Sequence, residues 1–98
     1  MKLNLSYIAG FFEGEGCAGF YKNGNGRRRF SLEISQNNPY ILYKIKDYFG
    51  RGHIADISDK RKCCKWIVSC NKGLDILRQL YPYLQFRKDE FKYLLKKE

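Results

Sequence analysis

Tyr7-Ile8-Ala9-Gly10-Phe11-Phe12-Glu13-Gly14-Glu15-Gly16 reads as a helix written against its own stability. Ile8, Phe11 and Phe12 fall within about one third of a helical circumference, enough to anchor one side in a core. Gly10 and Gly14, four residues apart, fall on a different side, where a second backbone can approach closely. Each of those glycines costs about 1 kcal/mol relative to Ala. Glu13 and Glu15 occupy the last turn, where the helix macrodipole disfavours negative charge by roughly 0.3–1 kcal/mol each. A helix selected for stability alone carries Lys or Arg there. Packing or chemistry is therefore the reason for this stretch.

The rest of the chain narrows the choice. Its 98 residues fit one domain, 1–98, with a modest core. Eight Tyr, seven Phe and one Trp favour a folded globule over a disordered tail. Nineteen Lys and Arg against ten acids give a net charge of +9, which points to a polyanionic partner, nucleic acid before an anionic membrane. The basic residues do not form one amphipathic stripe, so a membrane-surface role is the weaker reading. No run of about 18 apolar residues is available to span a bilayer. Met1 to Leu5 is too short and too polar for a signal peptide, so an intracellular, non-secreted protein is expected. Cys17, Cys63, Cys64 and Cys70 contain no C-x-x-C, and His53 is the only histidine, which argues against zinc and for reduced thiols.

In chain order, Asn4 or Ser6 can cap the first helix, which is expected to run to about Gly14. Cys17 to Lys22 predicts a strand, Asn23-Gly24-Asn25-Gly26 a tight turn, and Arg27 to Gln36 a second strand. Phe30, Leu32 and Ile34 alternate with Arg29, Ser31, Glu33 and Ser35, giving one core face and one polar face. Asn38-Pro39 opens a helix over Tyr40 to Phe49, with Ile41, Ile45 and Tyr48 at helical spacing, closed by Gly50. Gly52 to Ile57 predicts a third strand, residues 58–62 a charged turn, and Cys63 to Cys70 a fourth strand with Cys64, Trp66 and Val68 inward. Leu74, Leu77, Leu80 and Tyr81 mark a third helix broken near Pro82, and Asp89 to Lys97 a fourth. The expected class is α+β in the order αββαββαα, with a four-stranded antiparallel sheet.

Ile8 to Gly16 resembles the LAGLIDADG motif of homing endonucleases, with Ile8-Ala9-Gly10 for its first three letters, Phe11-Phe12 for the next two and Glu13-Gly14-Glu15-Gly16 for its acidic ending. The resemblance continues through Leu32-x-Ile34-x-Gln36, Gly50-x-Gly52-x-Ile54, Trp66-x-Val68 and Phe86-Arg87-Lys88. It implies a saddle-shaped sheet in a DNA major groove and cleavage of both strands across the minor groove, with Mg²⁺ or another divalent cation at the ends of two motif helices. On that resemblance Glu15 is the expected metal ligand, the Gly14 carbonyl a second one, and Glu13 a structural hydrogen-bonding group. Gln36 matches the position that places an attacking water. Arg87, or Lys88 if the register slips by one, matches the basic residue near the scissile phosphate. Tyr21, Asn23, Arg29, Ser31, Glu33, Ser35, His53 and Lys65 are expected on the DNA face, together with Cys17, Gly19, Ala55, Ile57, Cys63 and Ile67. Arg27, Arg28 and Arg29 are candidates for phosphate or guanine contacts.

One copy of the motif implies half an enzyme. A homodimer joined through Tyr7, Gly10 and Gly14, reading a long near-palindromic double-stranded DNA site, follows by symmetry. An organelle-encoded, phage or prokaryotic origin accords with that family. Both motif acids are Glu where the family most often has Asp, and the extra methylene moves the carboxylate by roughly a bond length, a change that Mg²⁺ geometry tolerates poorly. The competing expectation is a non-cleaving nucleic-acid binder, such as an intron maturase or an inactive DNA-binding derivative.

Overall fold

The computed structural model describes residues 2–22, 24–58 and 63–96. Asn4 caps α1 (Leu5–Glu15), its Oδ1 accepting the Tyr7 N–H at 2.8 Å. The helix carries Ile8, Ala9 and Phe12 into the core and runs one residue past the expected Gly14, so Glu15 is still helical when Gly16 turns the chain into β1 (Gly16–Lys22). β2 (Arg28–Gln36) starts one residue later than expected. Asn38 caps α2 (Pro39–Phe49), and Gly50 ends it at φ 67°, in the left-handed region that glycine occupies readily. β3 (His53–Ser58) and β4 (Cys63–Ser69) follow, then α3 (Cys70–Leu80), a 3₁₀ turn over Tyr81–Tyr83 and α4 (Lys88–Lys96).

The four strands form one antiparallel sheet in the order β1-β2-β4-β3. Two hairpins meet along the central β2–β4 pairing, where Leu32 sits opposite Val68 and Ile34 opposite Trp66. The inward residues of β2 (Phe30, Leu32, Ile34) and of β4 (Cys64, Trp66, Val68) share one core with buried side chains from all four helices. All four helices therefore cover one face and leave the other to solvent. That uncovered face positions the site.

Three local differences from expectation have physical causes. Tyr48 is 44% exposed, because α2 turns Leu42 and Ile45 inward while Phe49 stacks on Trp66 at 5.8 Å, leaving Ile41 half-buried at the border. β4 stops at Ser69 because Cys70 takes φ 61°, a left-handed conformation uncommon outside glycine, which breaks the strand and starts α3. α4 begins at Lys88 rather than Asp89, with the Phe91 N–H bonded to the Arg87 carbonyl at 3.2 Å. Gly52, at φ 89°, lies so close to the tryptophan that an added Cβ would sit 2.5 Å from Trp66 Nε1 and 2.9 Å from the Ile67 carbonyl. The same indole N–H donates to the Arg51 carbonyl at 3.0 Å, so the glycine lets the chain pass over the ring. All four cysteines are free.

Candidate functional site

The C-terminal end of α1 is held by the segment that precedes α4. Glu13 accepts the Gln85 N–H at 2.8 Å through Oε1, and the Phe86 and Arg87 N–H groups through Oε2, the latter at 2.8 Å. Burial alone would push this carboxyl up, but the three backbone donors and the nearby Arg87 charge outweigh it and hold it below the usual carboxylate range. Glu13 thus has the structural hydrogen-bonding place expected of it.

Arg87 returns the grip. Its Nη1 donates to the carbonyls of Glu13 at 3.2 Å and Gly16 at 2.6 Å, while Nε and Nη2 fork onto Glu90 at 3.0 and 2.7 Å. The guanidinium lies 4.7 Å from the ring centre of Phe91 and 5.9 Å from that of Phe12. The Glu90 fork, working against burial, raises the Arg87 pKa further above its ordinary value. Lys88 points elsewhere, its Nζ 5.4 Å from the Tyr81 ring. Of the two basic residues, Arg87 is the one that reaches the end of α1. Glu90 was not among the expected site residues, although its i,i+3 spacing from Arg87 on a helix was readable.

Between the two carbonyls that Arg87 takes lie Gly14 and Glu15, both exposed. Glu15 is the last residue of α1, and its side chain makes no hydrogen bond or ion pair among the described residues. Gly16 pairs with Ile34, so β2 carries Gln36 two residues beyond the point where α1 enters the sheet. Gln36 is half-buried, and its Oε1 accepts the N–H of Asn37 at 2.8 Å. On the outer side of α1, a Cβ added at Gly10 or Gly14 would meet nothing within 4 Å. Tyr7 is 44% exposed there, and it lines a shallow concavity with Ser6, Gly10 and Phe11. Both glycines face open space, so neither is needed for packing within this chain.

From Glu15 the chain passes directly into the solvent face of the sheet. Pairing places Cys17 opposite Glu33, Gly19 opposite Ser31 and Tyr21 opposite Arg29. Ser35 pairs with Lys65 and Glu33 with Ile67, while His53 and Ala55 extend the row from β3. The expected face is therefore assembled in register. Arg28 is exposed but shares the parity of Phe30, so it leaves this face, and Arg27 precedes the strand. Asn23, the Ile57 side chain and most of the charged turn lie outside the described residues.

The polar side chains of this face interact with one another. Lys65 Nζ lies 3.3 Å from Glu33 Oε2, which also accepts from Cys17 Sγ at 3.6 Å. Burial first, then the Glu33 charge, raises the Cys17 thiol pKa, and burial likewise raises that of Tyr21, whose hydroxyl reaches back along β1 to Cys17. Arg29 Nε donates to Cys70 Sγ at 3.1 Å. Only the tertiary pairing of β2 with β4 brings Lys65 to Glu33.

No group of three His, Cys, Asp or Glu side chains able to hold a metal occurs among the described residues. One chain offers, at the negative end of a helix dipole, an exposed carboxylate from Glu15 and the carbonyl of Gly14. These are hard oxygen donors of the kind that Mg²⁺ and Ca²⁺ accept, but too few to enclose an ion. The donor set fits a cation shared with a second copy or with a phosphate.

A comparison with curated proteins finds no match. Among solved structures, the homing endonuclease I-CvuI, in complex with the I-CreI target in the presence of 2 mM Mg and with the DNA not cleaved, is 26% identical at a TM-score of 0.79. The alignment covers 94% of this chain and 63% of that one, so this chain spans less than two thirds of that relative's length. The LAGLIDADG meganuclease I-AabMI, bound to uncleaved DNA, is 27% identical at a TM-score of 0.79, covering 97% of this chain and 35% of its own. The homing endonuclease I-SmaMI, bound to cleaved DNA, shares the fold at 23% identity and a TM-score of 0.76, covering 98% and 35%. The sequence model for LAGLIDADG endonucleases matches residues 8–95, nearly the whole described chain. From its acid-tipped first helix to its last, this chain belongs to the LAGLIDADG endonuclease family.

Proposed function

We propose that two copies of this chain form a site-specific, divalent-metal-dependent DNA endonuclease that cuts both strands of a long, near-palindromic duplex. The observation that carries this is the placement of an exposed Glu15 at the open, glycine-notched end of α1, where the chain enters an uncovered polar sheet face. The longest dimension of one copy is 33 Å, the length of about 10 base pairs of B-DNA, so two copies span roughly 20 base pairs.

Each part of the chain has a task in this scheme. Gly10 and Gly14 admit the partner helix and bring the two Glu15 carboxylates together, a like-charge arrangement that a cation relieves. Glu15 and the Gly14 carbonyl hold that cation. A divalent ion bound there supplies Lewis-acid activation of water and stabilises the leaving oxygen. Gln36 orients the attacking water with its amide. Arg87 fixes the end of α1 against α4, keeping Glu15 where the scissile phosphate arrives, and Glu90 keeps Arg87 in that pose. Tyr21, Arg29, Ser31, Ser35, His53 and Lys65 meet base edges in the major groove, where all four base pairs are distinguishable. Arg27 and Arg28, at the outer end of the hairpin, bind phosphates.

The test is to incubate the protein with Mg²⁺ and a library of duplex sites. A discrete site should be cut on both strands, EDTA should stop it, and Glu15→Gln should abolish cleavage while leaving binding intact. Binding without cleavage of any site would favour the non-cleaving nucleic-acid binder, whose appeal is the Glu-for-Asp motif. Cleavage that survives Glu15→Gln would refute the assignment of the site.

A further inference from the structure

Among the described strand positions that share the uncovered face, Glu33 is the only acid. A carboxylate in a surface that meets a polyanion is repelled by the phosphates unless it has a specific donor to accept from. Glu33 is kept there nonetheless, with its side chain 22% exposed and that of Lys65 26% exposed. The ion pair uses one carboxylate oxygen and one of the three ammonium donors, so each partner retains capacity for a second bond.

The geometry points to a joint role: we infer that Glu33 and Lys65 together read one G·C base pair in each half-site, the carboxylate accepting from the cytosine amino group and the ammonium donating to the guanine O6 and N7. This rests on the DNA-binding reading above and gives it a base identity. The Nζ–Oε2 separation of 3.3 Å is close to the roughly 2.9 Å hydrogen-bond distance between guanine O6 and cytosine N4, so a side-by-side cation and anion match the acceptor and donor that one base pair presents. A reversed pair places ammonium against amino and carboxylate against carbonyl. An A·T pair with adenine in guanine's place likewise reverses donor and acceptor. With thymine there, O4 and the adenine amino group keep their order but the methyl group replaces the N7 acceptor, so that pair is the nearest competitor and the other two are disfavoured most.

The register also places the pair within the half-site. Glu33 sits opposite Cys17, two residues from Glu15, while the hairpin turn begins beyond Lys22. The base pair it reads therefore lies in the inner part of each half-site, near the cut, and Arg29 and Tyr21 read farther out. Cys17, on the same carboxylate oxygen, holds the Glu33 side chain at this point.

The experiment measures relative affinity for duplexes carrying each of the four base pairs at every position of the wild-type site, with Ca²⁺ in place of Mg²⁺. The wild type should prefer one orientation of G·C by roughly tenfold or more at one inner position of each half-site. Glu33→Gln should flatten preference at that position only. The exchange Glu33→Lys with Lys65→Glu, which keeps an ion pair and so guards against simple misfolding, should invert the preference to the opposite orientation. A profile that is unchanged in Glu33→Gln, or an exchange that leaves the orientation as it was, overturns the inference while the DNA-binding reading stands. A wild-type protein that binds no duplex overturns both.

Discussion

Replacing Glu13 by Gln tests how the C-terminal end of α1 is held. The carboxylate accepts three backbone N–H groups, from Gln85, Phe86 and Arg87. Hydrogen bonds to a charged acceptor contribute about 1.5–3 kcal/mol each, against roughly 1 for neutral ones. A glutamine oxygen can serve the Phe86 and Arg87 donors at reduced strength, but its amino group then faces the Gln85 N–H. Water can reach this half-buried site and soften the loss, so about 2 kcal/mol is expected, a melting-point drop on the order of 10 °C for a domain of this size.

The pH dependence supplies the second arm. The Glu13 carboxyl titrates below its ordinary value in the folded state, so the unfolded chain binds the proton first as pH falls. Its contribution is complete above the unfolded pKa of about 4.3 and is lost as pH drops through the lower folded value. Thermal and urea melts of the two proteins should differ most near pH 7, and the gap should narrow as pH falls below the ordinary carboxylate range. A variant that melts within about 2 °C of wild type at pH 7 would refute the anchoring role, since even a single lost hydrogen bond exceeds that. So would a gap that does not narrow in acid.

Three further outcomes are expected. Gly14→Leu has open space for its side chain and should leave the melting point of the isolated chain unchanged or higher, yet shift sedimentation from dimer to monomer at tens of micromolar; a persistent dimer would place the interface elsewhere. Gly52→Ala should lower stability by about 2 kcal/mol or more in urea titration, because its backbone is left-handed and its Cβ collides with Trp66; a neutral result would mean that the strand end relaxes freely. Arg87→Lys keeps the charge but cannot make the fork onto Glu90 together with two carbonyl contacts, so single-turnover cleavage should slow about tenfold or more while DNA affinity changes by less than about threefold; equal losses in both would assign Arg87 to binding rather than positioning.

Sequence and structure divide the work along a physical line. The hydrophobic alternation of Phe30, Leu32 and Ile34, the Asn38-Pro39 start and the Gly50 stop of α2, and the acidic ending Glu13-Gly14-Glu15 were all readable from the chain, because each depends on backbone periodicity or on local conformational preference. The parity of each strand likewise told which residues share a face before any pairing was known. Tyr48 misled for a related reason: helical spacing permits two neighbouring stripes, and only the packing of Phe49 on Trp66 chooses between them.

Side-chain partners were not readable where they are far apart in the chain. Glu13 meets the amides of residues 85–87, Arg87 meets the carbonyl of Gly16, and Lys65 meets Glu33 only because the two hairpins pair along β2 and β4. Local sequence thus determined the elements, the faces and the acid at the helix tip. Which charges neutralise one another, and which are left exposed for a partner, was decided by strand order and helix docking, since electrostatic contacts depend on distance in space and not along the chain.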